Sequence, residues 1–133
     1  DKESMPDQYK TVSLEEFVEY SKSMFEYWTE DDFASSFRKM LTIEQFRSEE
    51  MQGLYQQYLS SGPAAYVKDL FESMGIAHAE ENAVRFYATM YFYYSVYDGA
   101  DDKEKVKKEF ASAIGSMAQE WIKQPKLTQI RKS

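Results

Sequence analysis

Nearly every side of the segment from residue 86 to residue 97 is aromatic, and this restricts the folds open to the chain. Seven of the twelve residues carry rings: Phe86, Tyr87, Tyr91, Phe92, Tyr93, Tyr94 and Tyr97. A surface helix normally has a single apolar stripe, so this helix must contact more than one neighbour. Buried tyrosines also need partners for their hydroxyls. A pocket or a subunit interface meets both needs, whereas a membrane span does not, because the run is short and rich in tyrosine.

The remaining sequence predicts an all-α fold. It contains five glycines and three prolines, and its apolar residues recur at helical spacing rather than in the alternation of a strand. Ser13 and Glu16 form a capping-box pattern, Pro63 suits the first position of a helix, and Gly75 suits a left-handed helix end. We expect one domain over residues 1–133, an antiparallel bundle of about six to seven helices, with 124–133 as a flexible tail.

Composition narrows the class of partner. The chain is 43% apolar and 29% charged, which is typical of a soluble globular protein, and its formal charge of -7 disfavours direct contact with nucleic acid. It has no cysteine, and the sequence shows no signal peptide or membrane span. We therefore expect a cytoplasmic protein that does not contact a membrane. The start at Asp1 rather than at methionine suggests a fragment or a processed product.

Little in the sequence supports a catalytic role. His78 is the single histidine, so a nucleophile–histidine pair would have to be built on it. The acidic turn that begins at Asp98 lacks the ligand spacing of a calcium loop, and no glycine-rich phosphate loop is present. We expect no enzyme, no metal and no cofactor.

The last two predicted helices, about 80–97 and 102–123, each have two usable faces. One face carries the large apolar side chains, and the other carries mostly small residues that permit close helix approach. Two such helix pairs related by a two-fold axis would form a four-helix bundle. The alternative is a larger monomeric bundle that encloses both helices. The predicted dimer residues are Ala88, Phe92, Ser95, Ala111, Gly115, Ala118 and Ile122.

The aromatic side chains also suit an apolar cavity in which a few hydroxyls orient a ligand. The predicted ligand-binding residues are Trp28, Phe37, Tyr55, Tyr66, Tyr87, Tyr91 and Tyr94. Each of them would otherwise be an ordinary core residue. Arg38 either meets a ligand carboxylate or forms a structural ion pair with Glu44.

Several stretches together resemble the C-terminal domain of a subset of TetR/AcrR-type transcriptional regulators. The residues that carry the resemblance are 25–33, 37–47, Tyr55-x-x-Tyr58-Leu59, Gly62-Pro63, Phe86-Tyr87-Ala88 and a last helix that ends near Trp121. The resemblance implies an all-α regulatory domain whose last two helices form a dimeric four-helix bundle. It also implies a pocket for a small, mostly apolar effector in each subunit.

The resemblance also carries an expectation about DNA. These regulators have an N-terminal helix-turn-helix domain, and nothing before Ser13 encodes one, so we expect truncation or proteolysis and DNA contact only through that absent domain. Two other classes stay open. One is a helical module that binds a partner protein without a small-molecule ligand, and the other is a helical enzyme without a recognisable motif.

Overall fold

The structure, a computed structural model, describes residues 12–123, and helices make up most of this part of the chain. In chain order the helices are α1 (Leu14–Glu30), α2 (Asp32–Glu44), α3 (Glu49–Leu59), α4 (Ser61–Ser73), α5 (Ala79–Gly99) and α6 (Lys103–Lys123). No strand occurs between residues 12 and 123. The predicted all-α class is confirmed. The tail predicted at 124–133 lies outside the described residues.

Two predicted helix ends are confirmed in detail. The Ser13 backbone N–H donates to Glu16 Oε1 at 3.2 Å, and the Glu16 N–H donates to Ser13 Oγ at 3.0 Å. At the end of α4, Gly75 adopts a φ of 75°, and the Ile76 N–H donates to the Phe71 carbonyl at 3.0 Å. Both ends use side chains or glycine to satisfy backbone groups that the helix itself leaves unpaired.

The junction between α3 and α4 differs from the prediction that Pro63 occupies the first helical position. Helix α3 ends at Leu59, Ser60 has a non-helical conformation, and α4 already begins at Ser61. Pro63 is therefore the third residue of α4. The first four N–H groups of a helix have no intrahelical partner, so proline costs no hydrogen bond there.

The main core lies where α1 packs against α5 and α6, while α4 covers another side of α5. The Phe25 ring stacks on Phe110 at a centroid distance of 4.3 Å and on Tyr94 at 5.6 Å. Trp121 closes the other end of this core against Phe71. A smaller cluster of Leu41, Tyr55 and Leu59 joins α2 to α3. The aromatic helix α5 is thus enclosed on several sides, as its composition requires.

Arg38 is paired with Asp98, so the predicted ion pair with Glu44 is wrong. Two guanidinium nitrogens of Arg38 donate to the Asp98 carboxylate at 2.7 and 2.9 Å, and its Nε donates to the Trp28 carbonyl at 3.0 Å. Glu44 instead pairs with Arg47. Six residues along a helix place Arg38 and Glu44 about 120° apart around the axis, so they face different neighbours. The Arg38–Asp98 pair ties α2 to the last turn of α5.

Lys107 forms a second connection between distant helices. Its ammonium lies 2.7 Å from Glu30 and 3.0 Å from Glu26, both on α1, and 3.4 Å from Glu104 on its own helix. Hydrogen bonds to Glu30 and then to Glu26 raise the pKa of Lys107. This group holds the start of α6 against the end of α1.

Candidate functional site: an aromatic cavity and an adjoining groove

A cavity of about 250 Å³ lies between α1, α3, α4 and α5. Most of its wall is aromatic, with two methionines: Phe17, Met24, Trp28, Tyr58, Phe86 and Met90. None of the described residues that line it carries a charge. An apolar enclosure with a few hydroxyl groups is the usual composition of a small-molecule site.

The tight α3–α4 junction closes one end of this cavity. Gly62 and Pro63 lie in its wall, next to Gln57 and Tyr58 at the end of α3. A Cβ added at Gly62 would collide with the backbone of Gln57. The close approach therefore requires glycine, and it brings Tyr58 of α3 and Tyr66 of α4 to the same opening.

Two buried hydroxyls in the wall already donate their protons within the chain. Ser21 Oγ–H donates to the Phe17 carbonyl at 2.8 Å, and Tyr87 Oη–H donates to the Leu59 carbonyl at 2.6 Å. Each oxygen keeps lone pairs with which it can accept a hydrogen bond. These two hydroxyls can therefore accept a hydrogen bond from a ligand, but their protons are already committed.

Tyr20 and Tyr66 lie at the more exposed part of the wall and interact with each other. Burial, followed by the nearby Tyr66 hydroxyl, raises the pKa of Tyr20. The Tyr20 phenol therefore stays neutral at physiological pH and can orient a polar atom of a ligand without adding a charge.

Arg38 lies behind the cavity wall rather than in it. Its guanidinium carbon is 4.9 Å from the centroid of the Tyr94 ring, and Tyr94 lines the cavity. Burial raises the pKa of Tyr94 in spite of the opposing effect of Arg38. All three types of guanidinium nitrogen already have partners in Asp98 and Trp28. Arg38 is thus not placed to neutralise a ligand carboxylate.

The energetics of this wall favour a neutral occupant. Burying an ion without a counter-charge costs several kcal/mol, even after the protein relaxes. A cation stacked on aromatic faces recovers only about 2 kcal/mol in a desolvated site. The free energy lost when the ion leaves water therefore exceeds the free energy that the aromatic wall returns, for a cation and for an anion.

A larger groove, of about 930 Å³, runs along the other side of Tyr87 between the α3–α4 junction and α5. It is lined in part by Tyr55, Val84, Tyr91 and Phe92, with Lys68 and Glu80 near its rim. The Tyr55 and Tyr91 hydroxyls contact each other across it. Tyr87 therefore forms a wall shared by the cavity and the groove.

The structure divides the predicted ligand-binding residues between these two spaces. Trp28, Tyr66, Tyr87 and Tyr94 line the cavity, and Tyr55, Tyr87 and Tyr91 line the groove. Tyr91 is 39% exposed, whereas Tyr87, one turn earlier on α5, is buried. Phe37 lines neither space; it contacts Phe33 and Tyr58 and packs against the smaller cluster between α2 and α3.

Sequence reasoning missed the contribution of α1 beyond Trp28. Tyr20, Ser21 and Met24 also line the cavity. Ser21 and Met24 lie seven and four positions before Trp28, which puts all three on one face of the helix. Helical spacing from Trp28 therefore contained the signal for these two wall residues.

Six of the seven predicted dimer residues are not fully buried. On α5, Ala88, Ser95 and Phe92 line the groove, and Phe92 is 60% exposed. On α6, Ile122 is exposed, Ala111 and Gly115 are half-buried, and a Cβ at Gly115 would meet no atom within 4 Å.

Ala118 differs from the other six, since it is buried in the core of its own chain. At 100° per residue, Ala118 lies on the helix surface between Ile114, which faces the core, and Gly115, which faces outward. Its small side chain fits into the core beside Ile114. The predicted small-residue face on α6 is therefore narrower than expected.

No protein-family model matches this chain, and neither a curated protein nor a solved structure matches it. Within residues 12–123, none of the helices combines the length and the apolar character that a membrane span requires. The same residues contain no group of three or more His, Asp or Glu side chains arranged to hold a metal ion.

The raised pKa of Tyr55, in the groove, predicts that the folded chain loses stability in alkaline solution. Burial, followed by the hydrogen bond with Tyr91, raises the pKa of Tyr55 to about 12 in the folded chain, against an ordinary value of about 10. Its contribution to stability is complete below about pH 10 and is lost as the pH rises toward 12. The free energy of unfolding should fall over this interval, and Tyr55→Phe should reduce the fall by about 1 kcal/mol, because solvent reaches the Tyr55–Tyr91 pair and screens part of the effect.

Urea unfolding followed by circular dichroism between pH 8 and 12 measures this fall. The baseline for each protein is its own stability at pH 8, where Tyr55 is neutral in both states. An identical pH dependence in the wild-type and Tyr55→Phe chains would contradict the assignment.

Proposed function

We propose that this chain is the effector-binding and dimerisation domain of a TetR-like transcriptional regulator. In this proposal the cavity binds a small, mostly apolar or aromatic ligand, which changes the DNA affinity of a helix-turn-helix domain on the N-terminal side. The protein is cytoplasmic and has no catalytic role. The observation that carries the proposal is the aromatic cavity between α1, α3, α4 and α5, directly behind the exposed apolar side of α5.

The proposed dimer pairs α5 and α6 of one subunit with those of its partner in a four-helix bundle, within subunits of six to seven helices. Exposed apolar side chains on these helices support the pairing, among them Val84, Phe92 and Ile122. The open space outside Gly115 also supports it, because small residues let helix backbones approach closely.

The proposed coupling runs through Tyr94 and Arg38. Tyr94 lines the cavity, Arg38 lies against its ring, and Asp98 holds Arg38 at the last turn of α5. A ligand that prefers one position of Tyr94 therefore also prefers one placement of α2 relative to α5. Dimeric regulators read half-sites at a fixed spacing, so such a preference changes operator affinity by shifting populations.

Replacing Gly115 by leucine tests the dimer. The larger side chain should separate the helices at the seam and weaken dimerisation at least about tenfold. Sedimentation velocity across a concentration series measures the change. Ser116→Leu is the matched control, because Ser116 is exposed on the same helix but about 100° from Gly115. A wild-type chain that stays monomeric at high micromolar concentration would refute the dimer.

Extraction of bound small molecules tests whether the chain carries a ligand. The purified chain is denatured, and released small molecules are identified by mass spectrometry. A stoichiometric compound should accompany the wild-type chain and be lost from Met90→Trp, in which a larger ring fills the cavity. Retention of the compound by Met90→Trp would place its site elsewhere.

A protein–protein interaction module is the second candidate, and exposed rings near α2 favour it. Phe33 is 74% exposed and Phe46 is 84% exposed, with Ile43 exposed between them. Exposed apolar groups that form one continuous patch commonly mark interaction surfaces. In that case the chain would remain monomeric, would carry no small molecule, and would lose its partner on Phe46→Ser.

A further inference from the structure

We propose that the cavity between α1, α3, α4 and α5 takes an uncharged ligand of one or two aromatic rings that carries a hydrogen-bond donor, such as a phenolic hydroxyl or an indole N–H. This inference rests on the proposed function, since it names the chemical class of the effector for the same cavity. Three properties of the wall carry it: the absence of charge, the size, and the direction of its hydrogen bonds.

The first property is charge. Among the described residues, Arg38 is the charged side chain that is buried, and it lies behind Tyr94 rather than in the wall. Its guanidinium is held by both carboxylate oxygens of Asp98 and by the Trp28 carbonyl. An anion finds no cation to pair with, and a cation finds no carboxylate among the lining residues. Either ion would lose its hydration without compensation.

The second property is size. An apolar cavity of about 150 Å³ accommodates a benzene ring, and this cavity measures about 250 Å³. It therefore holds one ring with substituents or two fused rings. The Trp28 and Phe86 rings and the flexible Met24 and Met90 side chains line the cavity and offer aromatic and sulfur contacts to a flat ligand.

The third property is the direction of the hydrogen bonds. The Ser21 hydroxyl donates its hydrogen bond to the Phe17 carbonyl, and the Tyr87 hydroxyl donates to the Leu59 carbonyl. Both hydroxyl oxygens still accept, so at these two positions a ligand O–H or N–H gains a partner, whereas a ligand group that only accepts does not. A neutral donor on an aromatic ring satisfies all three properties of the wall.

Four probes with the same bicyclic ring test the proposal against the 133-residue chain at neutral pH, with binding measured by titration calorimetry. They are β-naphthol, its methyl ether, β-naphthoate and β-naphthylmethylammonium. β-Naphthol should bind at least about tenfold more tightly than either ion. It should also bind about threefold to tenfold more tightly than the methyl ether, which lacks the donor.

Variants assign the binding to the cavity. Met90→Trp should abolish β-naphthol binding, whereas Ile43→Trp, at an exposed position of α2 that lines neither space, should leave it unchanged. The double variant Ser21→Ala, Tyr87→Phe removes both acceptor hydroxyls. It should equalise the affinities for β-naphthol and its methyl ether while leaving the preference over the two ions intact.

Each contrary outcome has a definite meaning. An ion that binds as tightly as β-naphthol overturns the uncharged class, and a methyl ether that matches β-naphthol in the wild-type chain overturns the donor. Binding of none of the four probes overturns the whole inference. The proposed function fails separately, by a monomeric chain in sedimentation and by the absence of any extracted compound.

Discussion

Replacing Asp98 by alanine should destabilise the folded chain by about 2–4 kcal/mol. The loss leaves Arg38 buried with its charge uncompensated, because two of its three hydrogen-bonding nitrogens bind only this carboxylate. Asp98 is itself partly exposed, but Arg38 is buried, and removing the partner of a buried ion costs more than the pair contributes because the ion stays desolvated. The last turn of α5 should also loosen from α2.

Chemical denaturation followed by circular dichroism measures this loss. Asp69→Ala is the control, because it removes the same charge from an exposed position on α4, and it should change stability by less than about 0.5 kcal/mol. The double variant Arg38→Met, Asp98→Ala removes both charges and should recover part of the loss. Equal stability of Asp98→Ala and Asp69→Ala would show that the pair does not hold the two helices.

Replacing Phe25 by alanine should cost about 3–5 kcal/mol. Its ring is buried between Phe110 and Tyr94 and meets Tyr97 edge-on. Truncation removes both stacking contacts and leaves a void that a close-packed core fills only in part. Because Tyr94 also lines the cavity, this substitution should weaken binding of any cavity ligand as well.

Phe33→Ala is the matched control for this change. Phe33 is the same residue type on the neighbouring helix, but most of its ring is exposed, so its loss should cost under about 1 kcal/mol. Thermal and urea unfolding of both variants provide the comparison. A loss of similar size at the two positions would mean that Phe25 does not occupy the packed centre.

Local patterns in this sequence predicted local structure well. The capping box at Ser13 and the helix end at Gly75 depend on residues within five positions of each other, and both are confirmed. The Arg38–Asp98 pair joins residues 60 positions apart, and no periodicity in one helix contains that information. The nearer Glu44 was therefore the wrong partner.

The candidate site was predicted in part for the same reason. Of the ligand-binding residues predicted on α5, Tyr87 and Tyr94 line the cavity. Helical spacing did not distinguish Tyr91, which lies toward the groove, or Ala118, which lies between the buried and the exposed side of α6. Those assignments depend on how each helix is rotated against its neighbours, and tertiary packing alone determines that rotation.

Tyr87 gives the molecule one wall between two spaces, and this has a thermodynamic consequence. Anything that fills the cavity and anything that covers the groove contact opposite sides of the same ring. If a second copy of the chain covers the groove and the Tyr87 ring transmits the effect, ligand and partner alter each other's affinity by the same factor, because binding free energies are reciprocal. The measured ligand affinity would then change with the concentration of the protein itself.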